Sequence, residues 1–228
     1  MSEVFVADKE VVVPGQVLVE GMDYLPAGDV YREGEKLIAM RVGLVNISGR
    51  VVKLIPLGGK YLPKRNDLVI GKVEAITIGG WRVDIGWVFE ANLSLRDGSA
   101  DYIEKGSDLT RYFNVGDYII AQIVNVAGSK IIDLSMKGPG LRKLGPGRLL
   151  KVTSTKVPRI IGKQGSMISM IKEMTGCRIS VGQNGVVWLS GDEPVKEMLA
   201  VKAINTIEEK SHISGLTDLI KNLLETGK

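Results

Sequence analysis

Two glycines and a lysine lie close together in the last third of the chain, at a spacing that could hold a polyanion. Residues 157–168 read Val-Pro-Arg-Ile-Ile-Gly-Lys-Gln-Gly-Ser-Met-Ile. Glycine lacks a Cβ and adopts positive φ, so a sugar-phosphate backbone can lie directly against a loop formed by residues 162–165. Helix N-terminal amides and Lys163 would then face the phosphates. The pattern predicts an RNA-binding loop, which we call the glycine loop (residues 162–165).

The residues after the glycine loop predict a helix and a hairpin. Apolar side chains recur at helical spacing, and Gly176 follows Thr175 where a helix would end. Residues 178–181 and 186–189 then predict two strands joined by an Asn184-Gly185 turn. The apolar helix positions are Ile168, Ile171 and Met174.

A long helix is predicted to follow the hairpin. Asp192 is the candidate N-cap, and Pro194 falls within the first turn. With residues 149–153 as a first strand, the predicted order of elements is β-α-α-β-β-α. The inner face of the last helix is predicted from Val195, Met198, Leu199 and Ile207.

This order, together with the Ile-Gly-x-x-Gly-x-x-Ile core, resembles the KH domain. The resemblance implies that the glycine loop clamps the backbone of a short single-stranded RNA, while apolar side chains and a strand line a groove for the bases. Local charge agrees, because residues 148–175 hold six Lys or Arg and one acid. The RNA-binding residues implied here are Arg159, Ile160, Ile161, Gly162, Lys163, Gln164, Gly165, Ser166 and Arg178.

The sequence contains no pattern typical of a catalytic or metal site. Its acids are dispersed, and its one histidine, His212, lies between two predicted helices, where capping or packing is expected. There is no Cys-x-x-Cys pair, phosphate-binding loop or His-Glu-x-x-His motif. We therefore expect a protein that is not an enzyme and that has no catalytic residues, cofactor or metal.

Composition is that of a soluble globular protein with a basic balance. The 228 residues are 44% hydrophobic and 25% charged, with a net charge of +4. No run approaches the roughly 18 apolar residues of a membrane span, and acids near Met1 argue against a signal peptide. A single cysteine, Cys177, excludes an internal disulfide. These features predict a cytoplasmic protein without membrane contact.

Two breaks in the sequence predict three domains. The predicted strands make the fold mixed but mainly β. Glycines and prolines at residues 138–140 and 145–147 form the clearer break, and residues 63–67 form a softer one. The predicted domains are 1–65, 66–138 and 146–228, the last with C-terminal helices.

The middle domain predicts five strands in a small closed β-barrel. Its motifs Trp-x-Val-Asp-Ile-Gly and Leu-Ser-Met-Lys resemble those of the S1-type OB domain, whose exposed aromatic and basic residues bind single-stranded RNA. Trp81 is the first candidate for stacking on a base, with a core position as the alternative, and Arg82 alternates to the other strand face. Candidate phosphate contacts are Arg96, Arg111 and Lys137.

The first 65 residues predict short strands over residues 11–19, 37–45 and 49–57. With the S1-then-KH order, the whole chain resembles the RNA-binding cap subunit of the archaeal exosome. The resemblance implies that the N-terminal domain docks on a hexameric ring of phosphorolytic ribonuclease subunits. It also implies three caps around the entrance pore, which hold RNA for 3′ to 5′ degradation without doing chemistry themselves. Whether a second cap type mixes with them stays open.

Two other families combine the same kinds of domain or motif. Polynucleotide phosphorylase also combines KH and S1 domains, but it places KH before S1 and has a catalytic domain. A free-standing RNA-binding module of translation or ribosome assembly is compatible with both motifs, and only the N-terminal 65 residues argue against it.

Overall fold

The computed structural model describes residues 2–128, 130–211, 213 and 215–227. The chain divides into two units, Met1–Gly59 and Lys60–Lys228. None of the described helices combines the length and the apolar character that a membrane crossing requires.

The first unit is built from short strands in two sheets. One sheet has the order β1-β3-β6-β5 and the other β2-β7-β8-β4. Buried Leu18, Leu37, Val45 and Leu54 contribute to their shared core. The strands are β1 (Glu3–Val4), β2 (Val11–Val12), β3 (Val17–Glu20), β4 (Leu25–Gly28), β5 (Val30–Glu33), β6 (Lys36–Ala39), β7 (Gly43–Ser48) and β8 (Val51–Pro56).

The second unit begins with a closed five-stranded barrel, as predicted. Its strands follow the order β13-β11-β10-β9-β12, and β12 also pairs with β13, which closes the sheet. Strand alternation places one face of each strand in the barrel core, as in the buried pair Val69 and Val73. The strands are β9 (Leu68–Thr77), β10 (Gly80–Asp84), β11 (Ala91–Ser94), β12 (Tyr118–Val126) and β13 (Ile132–Ser135).

A short strand, β14 (Arg142–Lys143), lies between the barrel and a C-terminal α+β region and pairs with β12. The α+β region confirms the predicted order β-α-α-β-β-α, and a further helix follows it, in agreement with the C-terminal helices expected there. Its three strands form an antiparallel sheet of order β15-β17-β16. The elements are β15 (Arg148–Lys151), α1 (Val157–Ile161), α2 (Ser166–Thr175), β16 (Arg178–Val181), β17 (Val186–Ser190), α3 (Pro194–Glu209) and α4 (Leu216–Thr226).

Glycines end elements in this region where the sequence predicts that they should. Gly176 caps the C-terminus of α2 with φ of 69°, and its N–H donates to the Lys172 carbonyl. Gly185 has φ of 81° in the turn between β16 and β17. Positive φ is the conformation in which glycine is favoured over other residues.

The predicted inner face of α3 is wrong at its first turns. Val195 and Met198 are 78% and 56% exposed, while Leu199 is half-buried and Ile207 is buried as predicted. Apolar residues occur on both sides of this helix, so helical spacing alone did not identify the buried side. The predicted N-cap is also displaced by one residue, from Asp192 to Glu193. The buried face comprises Ala200, Ala203, Ile204 and Ile207.

The barrel and the α+β region are joined through the turn between β16 and β17. The Asn184 side chain accepts from the Ile70 N–H at 3.2 Å and donates to the carbonyls of Ile70 and Ile85 at 2.8 and 2.9 Å. The Gln183 N–H donates to the Leu68 carbonyl at 2.7 Å. This turn therefore pairs with backbone groups of the first residues of β9, which pair with β12 on one side but lie beyond the end of β10 on the other. An apolar cluster lies beside it: Ile70, Ile120, Leu144 and Trp188.

Candidate nucleic-acid interface

The glycine loop has a backbone conformation that few residues tolerate. Gly162, Gln164 and Gly165 have φ of 77°, 53° and 83°. The chain therefore turns between α1 and α2 within a few residues, and the Gly165 N–H donates to the Gly162 carbonyl at 3.2 Å within this turn. The side chains of Lys163 and Gln164 are exposed on this turn.

The two glycines of the loop serve different purposes. A Cβ on Gly162 would lie 2.6 Å from the Met167 backbone nitrogen, so this position packs against the first turn of α2. A Cβ on Gly165 would meet no atom within 4 Å. Gly165 thus leaves an open surface at which another molecule can reach the main chain.

The N-terminus of α2 lies at this open surface. No side chain caps it: Gly165 occupies the N-cap position and makes no side-chain hydrogen bond. The first amide of the helix, that of Ser166, donates to the Lys163 carbonyl, and the positive end of the helix dipole favours an anion at this surface. Lys163 adds positive charge in the loop, and Lys172 adds another in the last turn of α2, so a phosphate is the ligand that this surface suits best.

A groove of about 280 Å³ lies beside the loop. The α+β region contributes Ile161 before the loop, Ile168 after it and Ile179 on β16. Apolar side chains next to a phosphate-binding loop are suited to hold unstacked bases.

Two predicted groove residues lie elsewhere. Ile160 is 0% exposed and packs in the core of the α+β region, so its assignment to the groove is wrong. Helical geometry separates it from Ile161, because adjacent residues on a helix point in different directions. Arg178 is exposed at the start of β16, beside rather than among the groove residues. Arg159 and Ser166 are exposed on α1 and α2.

Trp81 is a core residue, and the prediction that it stacks on RNA is wrong. Its side chain is 0% exposed, and its indole N–H donates to the Phe113 carbonyl at 3.1 Å. The ring also makes edge contacts with Phe113 and Tyr112 at centroid distances of 5.1 and 6.3 Å. Trp81 shares a strand face with buried Val83, and this alternation in the sequence indicated the core.

The barrel instead exposes an aromatic ring that the sequence analysis did not identify. Phe89 is 53% exposed in the loop before β11. It lines a groove of about 340 Å³ together with Arg82 and Lys130. Glu90 also lines this groove, so among the described residues the cations outnumber the acids there by two to one. An exposed aromatic ring in a groove with basic residues is a typical surface for stacking a base of single-stranded RNA. The apolar run Trp87-Val88-Phe89 between two strands was the available signal.

The other predicted phosphate contacts of the barrel are exposed but do not join this groove. Arg96 follows β11, and Lys137 follows β13. Arg111 forms an exposed ion pair with Asp108 at 3.7 Å. None of the three is among the residues that line the groove at Phe89.

The described residues do not assemble a metal site. Within residues 2–128, 130–211, 213 and 215–227, no group of three or more His, Cys, Asp or Glu side chains has a suitable arrangement. Cys177 is buried. His212, predicted to cap or pack, lies outside the described residues.

Comparisons with known proteins agree on one family. A KH domain model matches residues 148–211, and a model of the exosome RNA-binding protein RRP4 N-terminal domain matches residues 9–58. Exosome complex component Rrp4 of Pyrococcus furiosus is 42% identical over 227 residues, which cover 98% of this chain and 86% of that protein.

A second relative and a solved structure extend the agreement. Exosome complex component Rrp4 of Thermofilum pendens is 38% identical over 225 residues, covering 97% of this chain and 95% of that protein. A crystal structure described as a candidate exosome complex RNA-binding protein has a TM-score of 0.66 and 34% identity, covering 74% of this chain and 97% of that one. With this similarity along nearly its whole length, the chain belongs to the archaeal Rrp4 family of exosome RNA-binding subunits.

Proposed function

We propose that this protein is a non-catalytic cap subunit that holds single-stranded RNA at the entrance pore of a ring of phosphorolytic exoribonuclease subunits. The observation that carries the proposal is the glycine loop, where an open main-chain surface meets the uncapped N-terminus of α2. Membership of the Rrp4 family supports association with the exosome core ring and with RNA.

RNA binding at the loop follows from its chemistry. Phosphates would lie against the main chain at Gly165 and the α2 amides, with Lys163 beside them. Bases would turn toward Ile161, Ile168 and Ile179 in the adjacent groove. Contacts of this kind recognise the RNA backbone more than the RNA sequence, which suits a subunit that binds many different RNAs.

An apolar sheet face in the first unit suits docking on the ring. Strand register places Val11, Leu44 and Ile55 side by side across β2, β7 and β8. Val11 and Ile55 are 56% and 48% exposed. Leu25 pairs with Val51 on the same sheet, and both are exposed. Exposed Lys53 lies between Val51 and Ile55 on this face of β8, so the face presents two exposed apolar groups, and such groups are typical of a protein interface.

Tethering explains how such a subunit would accelerate degradation without doing chemistry. A loop and a barrel surface that each bind RNA weakly keep a strand near the pore at high effective concentration. Three copies around one ring would multiply these sites. Each released RNA would then rebind before it diffuses away, so the ring would degrade long substrates processively in the 3′ to 5′ direction.

The RNA-binding half of the proposal is tested with the isolated protein. We expect Gly165→Asp to weaken binding of a labelled single-stranded RNA by at least about tenfold, because a carboxylate enters the phosphate site. Gly34→Asp is the matched control, since Gly34 also has positive φ and open space around it but lies in the first unit. Equal affinities of the two variants would remove the glycine loop from the function.

The docking half is tested by the mass of complexes formed with the ring. We expect Ile55→Asp to abolish association while RNA affinity stays unchanged. Val195→Asp is the control, because Val195 is likewise exposed but lies on α3. If the wild-type protein binds RNA and ignores the ring, a free-standing RNA-binding module becomes the better account.

A further inference from the structure

The groove beside the glycine loop has a second wall that no KH element provides. Across from Ile161 and Ile179, it is lined by residues 139–142 of the connecting segment and by Leu68 and Ile120 of the barrel. We call residues 139–142 the linker wall. Residues of the barrel and of the α+β region therefore line the groove together.

The C-terminal end of the linker wall is held on the barrel. Arg142 and Lys143 pair with Ile120 and Ile119 as strand β14 on β12. Lys143 also forms an ion pair with Asp117, and the Leu144 N–H donates to the Tyr118 carbonyl at 2.8 Å. The wall is therefore anchored on the barrel at its Arg142 end.

Charge at the groove favours a polyanion. The described residues that line it include two cations, Arg142 on the linker wall and Lys172 on α2, and no carboxylate. The Arg142 guanidinium donates to the Ser180 hydroxyl at 3.5 Å, which is the long limit for a hydrogen bond. A phosphate oxygen would form a shorter, charge-assisted bond with the same group.

The size of the groove limits what can enter. About 280 Å³ is near the lower limit of roughly 300 Å³ for pockets that hold small molecules. An unstacked nucleobase fits such a space, whereas a folded domain or a duplex does not. Leu68 and Leu141 supply apolar contacts on the side opposite the KH residues.

We propose that the linker wall is part of the RNA site, with Arg142 as a phosphate contact across the groove from Lys172. This inference rests on the proposed RNA-binding function and extends it to residues outside the KH domain. RNA leaving the glycine loop would pass between the α+β region and the barrel, so its path would be fixed by the junction of the two domains.

The first test compares Arg142→Gln with Arg50→Gln in the full chain. Arg50 is exposed in the first unit, so both variants lose one charge. We expect Arg142→Gln to weaken binding of a labelled single-stranded RNA about tenfold. The slope of log affinity against log salt should also fall by about 0.7, the value for one lost phosphate contact on a single strand. Arg50→Gln should change neither quantity.

A second test locates RNA directly and does not depend on a change in affinity. Cys177 is the chain's one cysteine and is buried, so Pro139→Cys introduces an accessible thiol on the linker wall. We expect saturating RNA to slow alkylation of this thiol at least about fivefold. A thiol introduced by Val195→Cys, on the outer side of α3, should react at the same rate with and without RNA.

The outcomes separate this inference from the function on which it rests. If Gly165→Asp weakens binding but Arg142→Gln behaves like Arg50→Gln and RNA does not protect Pro139→Cys, the linker wall is excluded and the glycine loop stands. If none of the variants changes affinity, both proposals fail. If Pro139→Cys is protected by raising protein concentration rather than by RNA, a second copy occupies the groove and the inference is wrong.

Discussion

Replacing Asn184 by alanine should weaken the junction between the barrel and the α+β region. Its side chain makes three hydrogen bonds to Ile70 and Ile85, at 3.2, 2.8 and 2.9 Å. Ile70 is 1% exposed, so water does not readily replace these bonds. At about 0.5–1.5 kcal/mol for each bond, Asn184→Ala should lower the free energy of unfolding by roughly 1.5–4.5 kcal/mol.

Urea unfolding monitored by hydrogen exchange is the suitable assay, because it reports each domain separately. We expect faster exchange at the amides of Ile70 and Gln183, which lie at the junction. Asn205→Ala is the matched control, since Asn205 is exposed on α3. A loss below about 0.5 kcal/mol, or a loss equal to that of the control, would refute the assignment of Asn184 as the residue that joins the two domains.

Three further predictions concern the glycine loop, the barrel surface and pH. Gly162→Ala should destabilise the fold more than Gly165→Ala, by about 1–3 kcal/mol in urea unfolding, because only its Cβ would meet backbone, 2.6 Å away; equal losses would contradict this. Phe89→Ala should weaken RNA binding by about 1–3 kcal/mol if it stacks on a base, whereas Tyr102→Ala, which removes an 87% exposed ring, should not. Partial burial raises the pKa of Asp117, but the Lys143 ammonium and the Asn114 N–H together hold this pKa below its ordinary value of 3.8. Its stabilisation is therefore present above that pH and lost as pH falls through the lowered pKa. The stability difference between wild type and Asp117→Asn should accordingly shrink below about pH 4, and a difference that grows there would contradict the sign.

The order of elements could be predicted from sequence because local signals coincide in the α+β region. Gly176 and Gly185 adopt the positive φ that their positions at a helix end and a hairpin turn require. The alternation of apolar residues along β9 and β12 likewise predicted the closed barrel that the structure contains. These features depend on near neighbours in the chain, which a single sequence displays.

Residues whose role depends on distant partners were the ones misassigned or missed. Asn184 reads locally as a turn residue, yet its hydrogen bonds reach residues 99 and 114 positions away. Ile160 and Ile161 are equally apolar in sequence, and only the packing of α1 decides that one enters the core and the other the groove. Arg142 lies in a glycine- and proline-rich break that gave no sign of facing β16.

The central claim is that RNA held at the glycine loop is delivered to a phosphorolytic ring. It is tested most directly by the length distribution of products when the ring degrades a poly(A)-tailed RNA in the presence of phosphate. We predict no decay by this protein alone, processive decay when wild type joins the ring, and distributive decay when Gly165→Asp joins it. Equally processive decay with both proteins on the ring would contradict the account.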